Sequence, residues 1–219
     1  MGRCVIFCAG QMDRLLEPPE PEDYIIAADG GLAHVQGLGL TPHCILGDFD
    51  SLGYVPEESQ VYPVEKDDTD AMLAARRGLA LGYRSFLFYG GMDGPRLDHT
   101  LANFQTLQYV SDRGATGYLI GQRYIATVVQ NERICFAATA KGILSVFWLG
   151  ADARGVTLKG LQYPLEKGTL TAGFPLGVSN HFIGEPATVA VETGSLLVLY
   201  DRQNGFPTER EQEARICRP

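Results

Sequence analysis

The sequence is thin in the residues behind many familiar catalytic signatures. It has four histidines and one tryptophan. His34, His43, His99 and His181 lie far apart with no H-E-x-x-H, which argues against a zinc enzyme. Neither G-x-x-x-x-G-K-[ST] nor G-x-G-x-x-G occurs, so the chain has neither a P-loop nor a dinucleotide fingerprint. The lack of G-x-S-x-G removes the serine-hydrolase elbow. The five cysteines, Cys4, Cys8, Cys44, Cys135 and Cys217, form no C-x-x-C pair. An odd count without zinc spacing predicts free thiols in a reducing cytoplasm. No apolar run is long enough to span a bilayer, and the run Cys4 to Ala9 is too short for a secretory leader. Positive charge is also scarce: 18 Lys and Arg stand against 26 Asp and Glu, for a net charge of −8. That balance argues against a nucleic-acid or anionic-membrane surface. It leaves a nucleotide possible, because a metal can supply positive charge locally.

What is present is a well-furnished core. Hydrophobic residues make up 45% of the 219-residue chain, and 20% of residues are charged, which argues against disorder. The first half alternates strand-like and helix-like pieces. Strands are expected at Cys4–Cys8, Tyr24–Ala28, Cys44–Leu46, Phe86–Tyr89 and Tyr118–Ile120. Helices are expected around Leu32–Leu38, from Thr69 to Gly82 with Met72, Leu73, Leu79 and Ala80 roughly helically spaced, and from Leu97 to Arg113 with Leu101, Phe104, Leu107 and Val110 on one face. Val61–Val64 reads as an edge or irregular piece because of Pro63. This rhythm predicts an α/β domain over residues 1–122 with a mostly parallel sheet. After Gln122 the segments are short, β-branched or aromatic, and separated by turns: Ile125–Val129, Ile143–Trp148, Gly155–Leu158, Thr169–Ala172, Ala187–Val191 and Leu196–Tyr200. They predict a small all-β sandwich or barrel-like domain over residues 123–219, ending in a polar tail from Gln203.

The chemistry concentrates in the first half. Eight of the thirteen aspartates lie between positions 29 and 98, and most follow a predicted strand. In Gly47-Asp48-Phe49-Asp50-Ser51, an extended backbone points Asp48 and Asp50 the same way and Phe49 inward. Carboxylates forced together are tolerable around a cation, and such hard oxygen donors suit Mg²⁺. The plainer reading is a polar loop in which Asp48 and Ser51 cap a helix and a turn. Asp29 follows the second strand, Asp67 and Asp70 open the first long helix, and Asp98 opens the second. Carboxylates delivered to one sheet edge are what a Mg²⁺–polyphosphate site needs. The helix-opening acids also fit as simple partners of a helix dipole. Gly30-Gly31, Gly90-Gly91 and Gly94 let backbone approach a ligand closely. Arg96 is a candidate phosphate clamp with a planar fork of donors. His99 is expected to support the site or the helix start.

Taken together, Ala28-Asp29-Gly30-Gly31, Gly47-Asp48-Phe49-Asp50-Ser51, Asp67-x-Thr69-Asp70 and Gly90-Gly91…Arg96-x-Asp98-His99…Asn103 resemble, in order and spacing, the thiamine pyrophosphokinase family. Gly160-Leu161-Gln162-Tyr163-Pro164-Leu165 and Gly177-Val178-Ser179-Asn180 are similar to that family's C-terminal motifs. The resemblance spans roughly residues 4 to 200. It implies transfer of a pyrophosphoryl group from ATP to the hydroxyl of thiamine, giving thiamine diphosphate and AMP, with Mg²⁺ as cofactor. It implies an ATP-binding catalytic domain, a thiamine-binding β domain, and a homodimer with sites between chains. By motif position, Asp48, Asp50, Asp67, Asp70 and Asp98 become metal or catalytic carboxylates. Asp29, Gly30, Gly31, Ser51, Thr69, Gly90, Gly91, Arg96, His99 and Asn103 fall at the nucleotide, and Asp98, Ser179 and Asn180 at thiamine. Pro95, directly before Arg96, departs from the pattern and restricts Gly94 towards extended conformations. Two other readings remain open on the residues alone: a Mg²⁺-dependent transferase acting on another small alcohol, and a nucleotide or thiamine diphosphate sensor that does not turn over.

Overall fold

The computed structural model describes residues 2–49, 54–57, 59–61 and 68–212. The chain divides into two compact units, Met1–Gln122 and Arg123–Pro219. The first contains β1 (Cys4–Phe7), β2 (Tyr24–Ala28), α1 (Gly31–Gly37), β3 (Cys44–Gly47), β4 (Gln60–Val61), α2 (Asp70–Ala80), β5 (Ser85–Tyr89), α3 (Leu97–Ser111) and β6 (Thr116–Ile120). Among the described residues every pairing between these strands is parallel, in the order β4-β3-β2-β1-β5-β6. The chain therefore runs outward from β1 through β2 and β3, then returns to place β5 and β6 on the other side of β1. The gap between β1 and β5 is where the strand order reverses, the usual ligand crevice of an open parallel sheet. The strands are continuous apolar runs because residues on both faces are buried: Cys4, Val5, Ile6 and Phe7 are all at 1% exposure or less.

The helices form where the spacing predicts them, but α2 buries other residues, and α3 keeps Leu107 and Val110 inside while turning Leu101 out. Helix α2 turns Ala71, Ala74, Ala75 and Gly78 inward, with Met72 and Leu73 only half-buried and Ala80 exposed. Small residues win because the helix lies close to the sheet. A Cβ at Gly78 would stand 2.6 Å from Phe86 Cε1 and 2.7 Å from Cys4 Sγ. Helix α3 buries Thr100, Asn103, Thr106, Leu107 and Val110, while Leu97 and Leu101 are 70% and 56% exposed. Its first half thus presents polar groups inward, for a reason that the cleft supplies. At the end of β3, Phe49 is buried as expected, yet its φ of +59° shows that the chain has already left the extended conformation. The alternation argued for Asp48 and Asp50 does not apply past Gly47, and Asp50 lies outside the described residues. Val61 ends β4, and residues 62–64 of the expected edge piece also lie outside them.

The second unit contains β7 (Tyr124–Gln130), β8 (Glu132–Phe136), β9 (Ile143–Lys159), β10 (Leu165–Leu170), β11 (Asn180–His181), β12 (Ala187–Ala190), β13 (Thr193–Asp201) and β14 (Glu209–Gln212), with a 3-10 turn at Arg202–Asn204. Its pairings are all antiparallel, in the order β14-β8-β12-β9-β13-β7, with β10 and β11 also on β9. The segments Ile143–Trp148 and Gly155–Leu158 are one long strand rather than two. Its first part pairs with β13 and its last with β12. Gly150 and Gly155, at φ of +82° and +68°, mark the irregular stretch between. Phe136 sits edge-on to both Tyr200 and Phe182 in the core.

The polar stretch after Gln203 is not simply a tail. Glu209–Gln212 forms β14 on the edge of β8. Arg210 donates to both oxygens of Glu132, at 3.1 and 2.5 Å, and to Thr127 Oγ1 at 3.0 Å, with both charged side chains mostly buried. Arg133 pairs with Glu211. Composition read this segment as solvated because its charges are satisfied across strands, not along the chain.

Gly78→Ala tests the close packing of α2. Helix propensity alone would favour alanine by about 1 kcal/mol. Overpacking against Phe86 and Cys4 costs about 1–3 kcal/mol. The variant should therefore be less stable in urea unfolding. Gly37→Ala, whose Cβ meets nothing within 4 Å, should be neutral or more stable. The same sign in both variants would contradict this account of α2.

Candidate active site

The carboxyl ends of β1, β2, β3 and β5 share one edge of the first unit, and a cavity of about 320 Å³ opens there. Its floor is largely main chain. Cys8 N donates to Tyr89 O and Gly10 N to Gly90 O, each at 2.8 Å. These bonds bring the segment after β1 against the segment after β5. Only glycine permits that approach: a Cβ on Gly90, whose φ is +69°, would lie 2.4 Å from Cys8 O, and one on Gly10 2.4 Å from Gly90 O. The walls include Asp29, Thr69, Asp70, Arg96, His99, Thr100 and Asn103.

Three carboxylates from three elements meet beside this floor. Asp29 follows β2, Asp48 follows β3, and Asp70 opens α2. Each offers an oxygen within 4.8 Å of the others. Asp29 is 8% exposed and sits at φ +49°, a conformation non-glycine residues rarely take without support. Its amide donates to Leu46 O at 2.8 Å, which holds it to the β3 end. Asp70 is placed by Thr69, whose Oγ1 accepts from Met72 N at 3.2 Å and caps α2. Two like charges this close repel by roughly 3 kcal/mol at an effective dielectric of about 20. A hard divalent cation would remove that cost, and the donor set is all oxygen.

Arg96 and Asp98 make a pair of their own. Arg96 Nε donates to Asp98 Oδ1 at 3.2 Å and Nη2 to Oδ2 at 2.5 Å, with both side chains about two-thirds exposed. The Arg96 guanidinium holds the Asp98 carboxyl below the usual carboxylate range. Asp98 therefore lies outside the cluster of Asp29, Asp48 and Asp70. Asp50, Ser51 and Asp67 lie outside the described residues. Gly31 stands just behind the cleft, where a Cβ would strike Phe7 O at 1.9 Å. With Gly30 as its N-cap, it starts α1.

In the second unit Ser179 is exposed at φ +59°, its amide donating to Ser145 Oγ at 3.0 Å. Asn180 is 1% exposed and its amide is used locally. Oδ1 accepts from Tyr163 N and His181 N, both at 2.9 Å, and Nδ2 donates to Tyr163 O at 2.7 Å. Asn180 thus builds the turn that presents Tyr163, 63% exposed.

Sequence reading missed Cys8, Gly10 and Thr100 in the cleft. Thr100 and Asn103 are spaced i, i+3 on one face of α3, a signal the apolar pattern obscured. Burial, aided by the nearby Asp70 charge, pushes the Cys8 thiol up to about 12, so it is a neutral wall group and not a nucleophile.

A sequence model described as the thiamin pyrophosphokinase catalytic domain matches residues 19–119, and one for that family's vitamin B1 binding domain matches residues 133–198. The chain is 28% identical over 183 residues to a thiamine pyrophosphokinase of Bacillus subtilis, covering 80% of this chain and 85% of that protein. It superposes on a crystal structure of thiamine pyrophosphokinase from Bacillus subtilis with a TM-score of 0.78 and 25% identity, over 91% of this chain and 98% of that one. A Candida albicans thiamin pyrophosphokinase shares the fold at a TM-score of 0.72 and 14% identity, over 91% and 88% of the two chains.

Two predictions follow from this geometry. Asp48→Asn should leave the metal-free thermal midpoint equal to or above that of the parent, because it relieves repulsion. The rise in midpoint that the parent shows with millimolar Mg²⁺ should vanish; a normal Mg²⁺ response in the variant would refute the cluster as a cation site. Second, Asp98 has a depressed folded pKa, so its ion pair contributes above the unfolded carboxylate pKa of about 3.9 and is lost as pH falls through the folded value. Arg96→Gln should move the Asp98 titration upward in carboxyl-detected NMR, and an unmoved titration would show that the pair does not persist in solution.

Proposed function

The chain belongs to the thiamine pyrophosphokinase family and catalyses pyrophosphoryl transfer to thiamine, and we propose that the pyrophosphoryl group comes from ATP bound between the ends of β1 and β5. The observation that carries this reading is the cluster of Asp29, Asp48 and Asp70 beside a floor of bare backbone. The family match in both halves of the chain disfavours a sensor and a transferase acting on another alcohol.

The residues fit Mg²⁺, with Asp29, Asp48 and Asp70 as its oxygen ligands and Asp50 and Asp67 added by motif position. Bound there, the ion would neutralise phosphate charge and orient the transfer. In the reaction the thiamine hydroxyl oxygen bonds to the β-phosphorus, the bond from that phosphorus to the α–β bridging oxygen breaks, and AMP leaves with the bridging oxygen. The hydroxyl proton is released. Gly90 and Gly91 let the polyphosphate lie against main chain. Arg96 exchanges its hold on Asp98 for phosphate oxygens, which frees the Asp98 carboxylate to face the acceptor. Thr69, His99 and Asn103 line the nucleotide's walls, and Ser51 joins them by motif position. Ser179 offers its hydroxyl to thiamine, and Asn180 serves the same site by holding the Tyr163 turn. The protein acts in the cytoplasm as a homodimer whose acceptor sites draw on both chains. The family resemblance supports the shared site, and five cysteines with neither zinc spacing nor an even count support the reducing compartment.

The test of the reaction is product identity. AMP, and not ADP, should appear from ATP only when thiamine is added, and excess chelator should abolish it. ADP as the product, or undiminished turnover in chelator, would overturn the reading. The shared site is tested by complementation between an Asp48→Asn chain and a chain with Ser179→Ala and Asn180→Ala. Co-refolded as a random mixture, they should recover about a quarter of the parent's active sites, because half the dimers are mixed and each of those has one intact site. A dead mixture with mixed dimers present would leave the chemistry standing and remove the shared site.

A further inference from the structure

The cleft floor has a second set of partners, of which the nucleotide reading uses only Asn103. Main chain carries a carbonyl for every amide, and a carbonyl free to turn towards a polyphosphate repels it. Three side chains occupy carbonyls of the two segments that form the floor. Asn103 Nδ2 donates to Gly91 O at 2.7 Å. Thr100 Oγ1 donates to Met92 O at 2.9 Å. His34 Nε2 lies 2.7 Å from Gly10 O. A carbonyl can only accept, so His34 carries a hydrogen on Nε2. The imidazolium form keeps that hydrogen, so the bond survives either charge state. His34 belongs to α1, in the β2–β3 crossover, and Thr100 to α3, in the β5–β6 crossover. One therefore comes from each half of the sheet, on either side of the β1–β5 gap.

We propose that His34 and Thr100 are positioning residues for the nucleotide: by holding the Gly10 and Met92 carbonyls they set the two glycine turns before the polyphosphate arrives. The inference rests on the reading of the cleft as the ATP site. Thr100 is 9% exposed, so a valine fits its space while leaving the Met92 carbonyl without its donor, and a serine keeps the hydroxyl. At His34 a phenylalanine keeps a ring and loses the donor.

The probe is the α,β-methylene analogue of ATP with Mg²⁺, whose scissile bridge cannot be cleaved, measured by calorimetry alongside the thermal midpoint and the separate KM values. Thr100→Val and His34→Phe should each weaken analogue binding by about five- to tenfold, the loss expected for one neutral hydrogen bond. The KM for ATP should rise with it, the KM for thiamine should stay within twofold, and Thr100→Ser should bind within twofold of the parent. If His34→Phe does not fold, the valine and serine pair at Thr100 decides alone. Binding of Thr100→Val within twofold of the parent would overturn the inference, as would a serine variant as weak as the valine. A thiamine KM that rises in step would mark a merely structural role and overturn it too. Failure of the parent itself to bind the analogue would remove the nucleotide reading and this inference with it.

Discussion

The contact between the backbone after β1 and the backbone after β5 is the constraint on which the first unit depends. Gly10 N donates to Gly90 O at 2.8 Å, and neither position has room for a Cβ. That contact makes the crevice at the strand-order reversal shallow-floored and lined with peptide groups. A polyphosphate needs such a surface, because amide groups can approach its oxygens with no side chain between. The cost is conformational freedom surrendered by several glycines on folding. Buried strands on both sides of the gap, with Phe7 stacked on Tyr89 at 5.6 Å, offset it.

The same logic explains the polar inner face of α3. A helix that covers a sheet ordinarily buries an apolar stripe. Here the stripe is apolar at Leu107 and Val110 and polar at Thr100 and Asn103, because the first two turns lie over the cleft and the last two over the core. The exposed Leu97 and Leu101 result from that rotation. Helix α2 shows the complementary case. Its small inner residues bring the helix close to the sheet, and Asp70 at its first turn sits within reach of Asp29 and Asp48.

The second unit solves a different problem. Its long strand β9 is the partner of β10, β11, β12 and β13, so one irregular strand connects most of the unit. The Asn180 amide, spent on the Tyr163 turn, shows a motif residue acting through backbone geometry. The motif Ser179-Asn180 and the motif around Tyr163 are seventeen residues apart in sequence and joined by that one side chain.

The sequence alone determined a great deal. Apolar runs of strand length, turn glycines and helix caps are local signals, so the parallel α/β half, the β half and the Thr69 cap of α2 were legible without coordinates. Ordered motifs were enough to identify the family and to nominate the aspartates. Tertiary structure alone decided which faces the helices bury, since an inner face depends on how closely a neighbour approaches, and periodicity does not report that distance. It alone joined Ile143–Trp148 to Gly155–Leu158 as one strand and turned the charged stretch at Glu209–Gln212 into a strand, because those pairings are long-range. It also decided which carboxylates meet. Asp29, Asp48 and Asp70 come from three elements brought together at one sheet edge, while Asp98, two residues from Arg96, is held by that arginine. Spacing along the chain does not distinguish a cluster from a local ion pair; only the positions of the strand ends do.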